Sequence, residues 1–253
     1  MGVDPGRHVF GLGTVAYGVV ALIWPDPNHW QQLHQMGNVP HLQALVYLAA
    51  AIQILGGLSI QWPTAARAGA FALGAVYLIF ALLLAPQIIA KPGVFDNWAN
   101  FFEPLSLVAA ALIIYATVGE KDPSRAAGAA QIGRVGFGIC VVSFAIEQLV
   151  HLNMTAGLVP TWIPPGQMFW AIATTIALAL AAVSILTGRA ALLAARCLTA
   201  MLIGFWLLVW IPLSLAGPPK VSNWSENVET LAIAGAAWVV ADSLRQDRAT
   251  ARA

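Results

Sequence analysis

Glu147 and His151 stand four residues apart inside an apolar run, a spacing that places a carboxyl and an imidazole on one helix face. Such a pair can pass a proton or chelate a metal ion. Glu103 and Glu229 lie in two other apolar runs, each ending an Asn-Trp-x4-Glu pattern: Asn97-Trp98 before Glu103 and Asn223-Trp224 before Glu229. A charged group in hydrocarbon costs at least about 2.5–3.5 kcal/mol, so an acid kept there marks a pathway or a site. At a helical rise of about 1.5 Å per residue, Glu147 lies about 20 Å from Arg134, Glu229 about 24 Å from Arg245 and Glu103 about 26 Å from Glu120. All three acids fall at similar depth, in the outer half of a membrane. Asp242 lies nearer the inner end.

Each of these residues also has a plainer role open to it. Glu103 and Glu229 near helix starts would meet the helix dipole, with Asn97 and Asn223 as N-caps. Trp98 and Trp224 suit interface anchors as well as the walls of a cofactor site. His29, His34 and His41 crowd one loop and are candidate metal ligands, although solvated loop histidines are ordinary. For Glu147 and His151 the functional role is favoured, because the aligned positions in a first repeat (below) are Val20 and Trp24.

The elements that must position them are membrane helices. Hydrophobic residues make up 59% of the 253 and charged residues 9%, against about 45–50% and about 25% in soluble chains. So few charges cannot cover a soluble surface. A net charge of +1 leaves no basic footprint, which excludes a nucleic-acid partner. Eight apolar segments reach the roughly 20 residues that a bilayer requires: about 8–24, 42–60, 68–89, 101–118, 135–152, 167–186, 197–215 and 228–244. The first is expected to be a retained helix rather than a signal peptide, since Trp24-Pro25-Asp26-Pro27 follows it in place of a small-residue cleavage site. Of the 12 basic residues, all but Lys91 and Lys220 fall on one side. That asymmetry predicts both termini in the cytoplasm, with 25–41, 90–100, 153–166 and 216–227 facing outward. Cys140 and Cys197 lie in apolar runs outside any CxxC and read as packing residues.

The chain also repeats itself. Residues 6–24 align with 133–151 at an offset of 127, pairing Arg7 with Arg134, Phe10 with Phe137, Gly11 with Gly138 and Leu22 with Leu149. Residues 97–115 align with 223–241 at an offset of 126, and Pro86 with Pro212. Four spans per unit is even, so the units share one orientation. The expected fold is all-α: a polytopic membrane protein of eight transmembrane helices in two parallel four-helix repeats. The first unit is 1–118, a cytoplasmic linker 119–133, and the second unit 134–253.

Short motifs add a family resemblance. The second unit carries Gly133-Arg134, Val159-Pro160-Thr161-Trp162-Ile163-Pro164, Phe169-Trp170 and Thr187-Gly188-Arg189. The first carries Gly6-Arg7, Val39-Pro40 and Tyr47, with Trp62-Pro63-Thr64 at the turn. In these the chain resembles the DoxX-like family of four-helix membrane proteins, as two fused copies. The resemblance implies a bacterial inner-membrane location and a redox role beside quinone, as in a thiosulfate:quinone oxidoreductase subunit. Neither cysteine lies in an outward loop, so thiol-based sulfur chemistry is not expected.

The chain contains no GxxxxGK[ST], HExxH or CxxCH. Three functions stay open. One is a quinone-linked oxidoreductase or its subunit, in which Glu147, His151, Glu103 and Glu229 surround an outward-facing polar pocket that takes a quinone or a metal ion. Another is a transporter or channel for a small solute or proton. The third is a non-catalytic assembly partner of another membrane or periplasmic protein, suited by small-residue faces such as Ala49-Ala50-Ala51.

Overall fold

Apolar runs with few charges leave the backbone to satisfy its own hydrogen bonds, and helices do so within a single segment. In the computed structural model, residues 4–37, 39–119 and 122–250 are described, and every regular element among them is helical. The elements are α1 (Pro5–Ile23), α2 (Gln31–His34), α3 (Leu42–Ser59), α4 (Ala66–Ala90), α5 (Phe95–Thr117), α6 (Pro123–Val150), α7 (Leu152–Leu158), α8 (Gln167–Thr187), α9 (Ala191–Phe205), α10 (Ile211–Ala216) and α11 (Val221–Thr250). A 3-10 turn, Pro27–His29, precedes α2, and a π-helical stretch, Trp206–Trp210, joins α9 to α10 in one span.

Among the described residues, seven helices are long and apolar enough to cross a membrane: α1, α3, α4, α5, α6, α8 and the joined Ala191–Ala216. The eighth expected span forms as α11, 30 residues long, but does not qualify by composition. Glu226, Glu229, Asp242 and Arg245 dilute it. The molecule is therefore an all-α protein of the polytopic membrane kind. Large apolar side chains point away from it all round, among them Leu55, Phe71, Leu82, Ile89, Val183 and Leu193. In water such a belt would be unstable; against lipid it is the expected exterior.

The expected linker 119–133 is corrected from Pro123 onward, where it is helix. Helix α6 begins at Pro123, where proline at the first helical position loses no hydrogen bond. Asp122 caps it by accepting from the Ser124 hydroxyl and backbone N–H, which hold its carboxyl below the usual carboxylate range. Glu120 and Lys121 of that linker lie outside the described residues, as does Arg252.

The long helices close a ring. Helix α1 packs on α3 and α11, α3 on α4, α4 on α5, α5 on α6, α6 on α8, α8 on α9 and α9 on α11. Helices α5 and α11 also touch each other. Small residues permit this closeness. A Cβ on Gly13 would lie 2.6 Å from the Cα of Ala232, and one on Gly133 would lie 2.8 Å from the Ala109 carbonyl. The α1–α11 and α5–α6 crossings are thus backbone against backbone. One apolar core runs through the whole ring, from Phe10 through Leu73, Leu107, Phe137 and Leu178 to Val240.

Both termini lie at one end of the bundle. There the Gly6 N–H donates to Asp242 Oδ2 at 2.9 Å and Arg245 pairs with Asp4 at 3.4 Å. At that same end Arg134 pairs with Asp247. The connections 24–41, 91–94, 151–166 and 217–220 gather at the opposite end.

Candidate functional site

A cleft of about 740 Å³ opens among α6, α7, α8, the α9–α10 span and α11. Glu103, Glu147, His151 and Glu229, singled out by type and spacing, all line it. They come from α5, α6, the break after α6 and α11, so only the closed ring brings them together. Phe144, Trp170, Leu178, Phe205, Leu208 and Trp210 supply apolar wall.

The acids reach the cleft from well inside their helices. Helix α5 starts at Phe95 and α11 at Val221, so Glu103 and Glu229 sit about two turns in. This corrects the helix-dipole alternative, because the dipole acts over the first turn only. Glu229 is 8% exposed and lies near Tyr17 of α1. Glu103 interacts electrostatically with Glu229, Glu226 and Glu147.

Glu226 is a fourth acid of the cleft that the sequence reading missed. It precedes Glu229 by three residues on the same helix face, and that spacing was the available signal. Lys220 also lines the cleft.

Helix α6 ends at Val150, and His151 breaks from helical geometry at φ −105°, ψ 34° before α7 starts. Its Nε2 lies 2.6 Å from Asp96 Oδ1. Asp96, in the first turn of α5, is the second residue missed. The imidazole thus stands between a carboxyl of α5 and Glu147, one turn back on α6.

The expected cofactor-binding set divides. Asn223 lines the cleft, whereas Asn97, Trp98 and Trp224 do not. Their polar groups are used in tying helix ends together. Asn97 Nδ2 donates to the Gln87 and Lys91 carbonyls, both at 3.2 Å, and Asn223 Nδ2 to the Leu213 carbonyl at 2.9 Å. Each asparagine therefore adds a second donor to carbonyls at the end of the preceding helix, which already accept a backbone N–H, and does not cap its own helix. Trp98 Nε1 donates to Pro92 at 3.0 Å, and Trp224 Nε1 to Pro218 at 3.1 Å.

The expected metal ligands do not converge. Among the described residues no group of three or more His, Cys, Asp or Glu is placed to hold a metal ion. His29 ends the 3-10 turn, His34 Nδ1 faces Asn28 Oδ1 at 3.3 Å, and His41 starts α3 in left-handed geometry at φ 64°. The loop's own secondary structure spreads them apart.

The π stretch forms part of the cleft wall through Leu208, Val209 and Trp210. Polar side chains behind it hold it. Trp206 Nε1 donates to Asn227 Oδ1 at 2.8 Å, Asn227 Nδ2 to Ser214 Oγ at 3.1 Å, and Ser214 Oγ to the Trp210 carbonyl at 2.7 Å. A π insertion widens a helix and recurs at functional sites.

The cleft ends blindly toward the termini. Below Ile233, α11 presents Ala234, Ala236, Ala237, Val239, Val240 and Ala241, all buried. Asp242 comes only beyond them and is engaged by Gly6 and Arg245. The arrangement can hold an amphipathic molecule against apolar walls and exchange protons with it. No family model, no curated protein and no solved structure matches this chain.

Proposed function

We propose that this chain is a membrane protein of two parallel four-helix units, with α11 as the eighth span. Its cytoplasmic termini would leave the cleft open to the outer side. The matching clasps of Asn97 and Asn223, each to a carbonyl ten residues back, and of Trp98 and Trp224, each to a carbonyl six residues back, support the two-unit layout. The excess of basic residues near the termini supports the orientation.

The function we infer is quinone-linked redox work, as an oxidoreductase or the quinone-handling subunit of one. The observation that carries it is the convergence of four carboxyls and His151 on one apolar-walled cleft of about 740 Å³. A lipid quinone is apolar along its tail and exchanges protons at its ring. Oxidation of a hydroquinone releases two electrons and two protons. Glu147, Glu226, Glu229 and His151 accept the protons, and a partner redox protein accepts the electrons. Like charges crowded in an apolar wall repel unless protons or a cation neutralise them, which suits such a site to proton exchange. The DoxX-like resemblance points the same way. The blind inner end favours chemistry at one face over conduction across the membrane.

Native mass spectrometry of the protein, purified in mild detergent without a metal-affinity tag, tests this. The expected spectrum shows a stoichiometric quinone that is lost in Glu147→Gln and Glu229→Gln. Bare wild-type protein that also fails to take up added quinone overturns the assignment.

A further inference from the structure

The first half of the molecule shows what fills the matching face of α1. There Tyr17, Val20 and Ala21 align with Phe144, Glu147 and Gln148, the α6 wall of the cleft. Against Tyr17, Val20 and Ala21 pack Trp30 and Leu33, each 5% exposed. The Trp30 indole lies 5.7 Å from the Tyr17 ring, tilted by 40°, and its Nε1 donates to the Trp24 carbonyl at 3.0 Å.

The plug is a product of chain length. Fifteen positions separate Trp24 from Val39 in the first half, and eight separate the aligned His151 from Val159 in the second. The extra length holds the turn and α2 that carry Trp30 and Leu33. The shorter connection forms α7, whose Met154, Thr155 and Leu158 line the cleft without closing it.

We propose that the open cleft seats the aromatic end of its ligand against Phe144, as Trp30 is seated against Tyr17, and that this ligand donates hydrogen bonds to the acids. The acids determine the polarity. Among the described residues the carboxyls of Glu103, Glu147 and Glu226 accept no hydrogen bond from another side chain. Whether ionised or protonated, each carboxyl keeps an acceptor oxygen, so a phenol-like or hydroquinone-like ring that donates a hydrogen bond finds a partner there. The inference rests on the cleft being the ligand site of the proposed function, and specifies what that site recognises.

The test is equilibrium dialysis of three probes against the full chain in nanodiscs, with empty nanodiscs as the blank. 1-Naphthol keeps ring and donor, 1-methoxynaphthalene loses the donor, and decahydro-1-naphthol loses the aromatic ring. Saturable 1-naphthol binding is expected, weakened about tenfold in each of the other two. Phe144→Leu should remove the preference for the aromatic probe. A Cβ on Gly204, which lines the cleft, meets open space. Gly204→Trp should therefore fill the cleft and abolish saturable binding while leaving the fold intact. Equal binding of the three probes, or naphthol binding unchanged by Gly204→Trp, overturns the inference. The outcomes separate it from the redox function. A quinone that co-purifies and is lost in Glu147→Gln, with all three probes alike, removes this inference alone. Selective naphthol binding with no quinone taken up removes the redox function and leaves the ring seat standing.

Discussion

The two halves of this molecule hold their helices in the same order of contacts yet treat one helix face in opposite ways. On α1 the face made by Tyr17, Val20 and Ala21 is closed by Trp30 and Leu33. On α6 the aligned face, with Phe144, Glu147 and Gln148, borders an open cleft. The third long helices of the two halves differ in step. Helix α4 runs unbroken through Pro86, whereas the α9–α10 span carries a π stretch just before Pro212. The difference teaches that one half is finished as packing and the other left as an open cleft. A position that is valine where the loop plugs it becomes glutamate where it does not.

The comparison breaks most visibly at the plug itself. Trp30→Ala should cost about 3–5 kcal/mol of stability, read by denaturant unfolding in detergent, because a buried indole leaves a cavity. A loss below 1 kcal/mol would mean that the segment is not packing and the two faces are alike after all. Next in size, Val20→Glu puts an unpaired acid beneath the plug and should destabilise by about 2.5–3.5 kcal/mol. The reverse exchange sharpens the contrast. Glu147→Val should leave stability unchanged or raise it by about 1 kcal/mol, since an apolar residue replaces a carboxyl in an apolar wall. The same variant should lose ligand in native mass spectrometry. A Glu147→Val protein that unfolds would show the acid to be structural.

Smaller effects follow. Asp96→Asn weakens a partly exposed carboxylate–imidazole pair and should cost only about 0.2–1 kcal/mol, with a larger change in the pH profile of ligand uptake. The smallest concerns Asp26, outside the spans, which starts the turn leading to the plug. Its carboxyl accepts from the Asn28 N–H and side-chain amide, with His29 nearby, and is held below the ordinary carboxylate range. A depressed folded value contributes stability above the unfolded value and loses it as pH falls through the folded one. Hydrogen exchange across 27–34 should therefore quicken slightly toward acid pH. Asp26→Ala should flatten that dependence, and an unchanged profile would remove Asp26 from the account of the plug.

Much of the fold was legible beforehand because its signals are local. Runs of apolar residues between Pro- and Gly-bearing breaks located all the long helices, α11 included. Glu103, Glu147, His151 and Glu229 were legible because an acid in an apolar run is conspicuous. Glu226 was not, since it sits in a polar stretch, Ser222 to Glu226, that looks like loop until α11 is seen to begin at Val221. Asp96 was hidden for the same reason at the start of α5. Asn97, Trp98 and Trp224 misled because their Asn-Trp pattern matches a site and a clasp equally well.

The sequence by itself determined the membrane class, the helices and the acids inside them, because hydropathy and an isolated charge are properties of a segment. Only the tertiary structure decided that four acids from three helices and His151 share one cleft, and that the loop histidines share nothing. It alone decided that Trp30 closes one face while α7 leaves the other open. Those outcomes depend on which helices meet around the ring and on the reach of a loop, and no single segment carries that information.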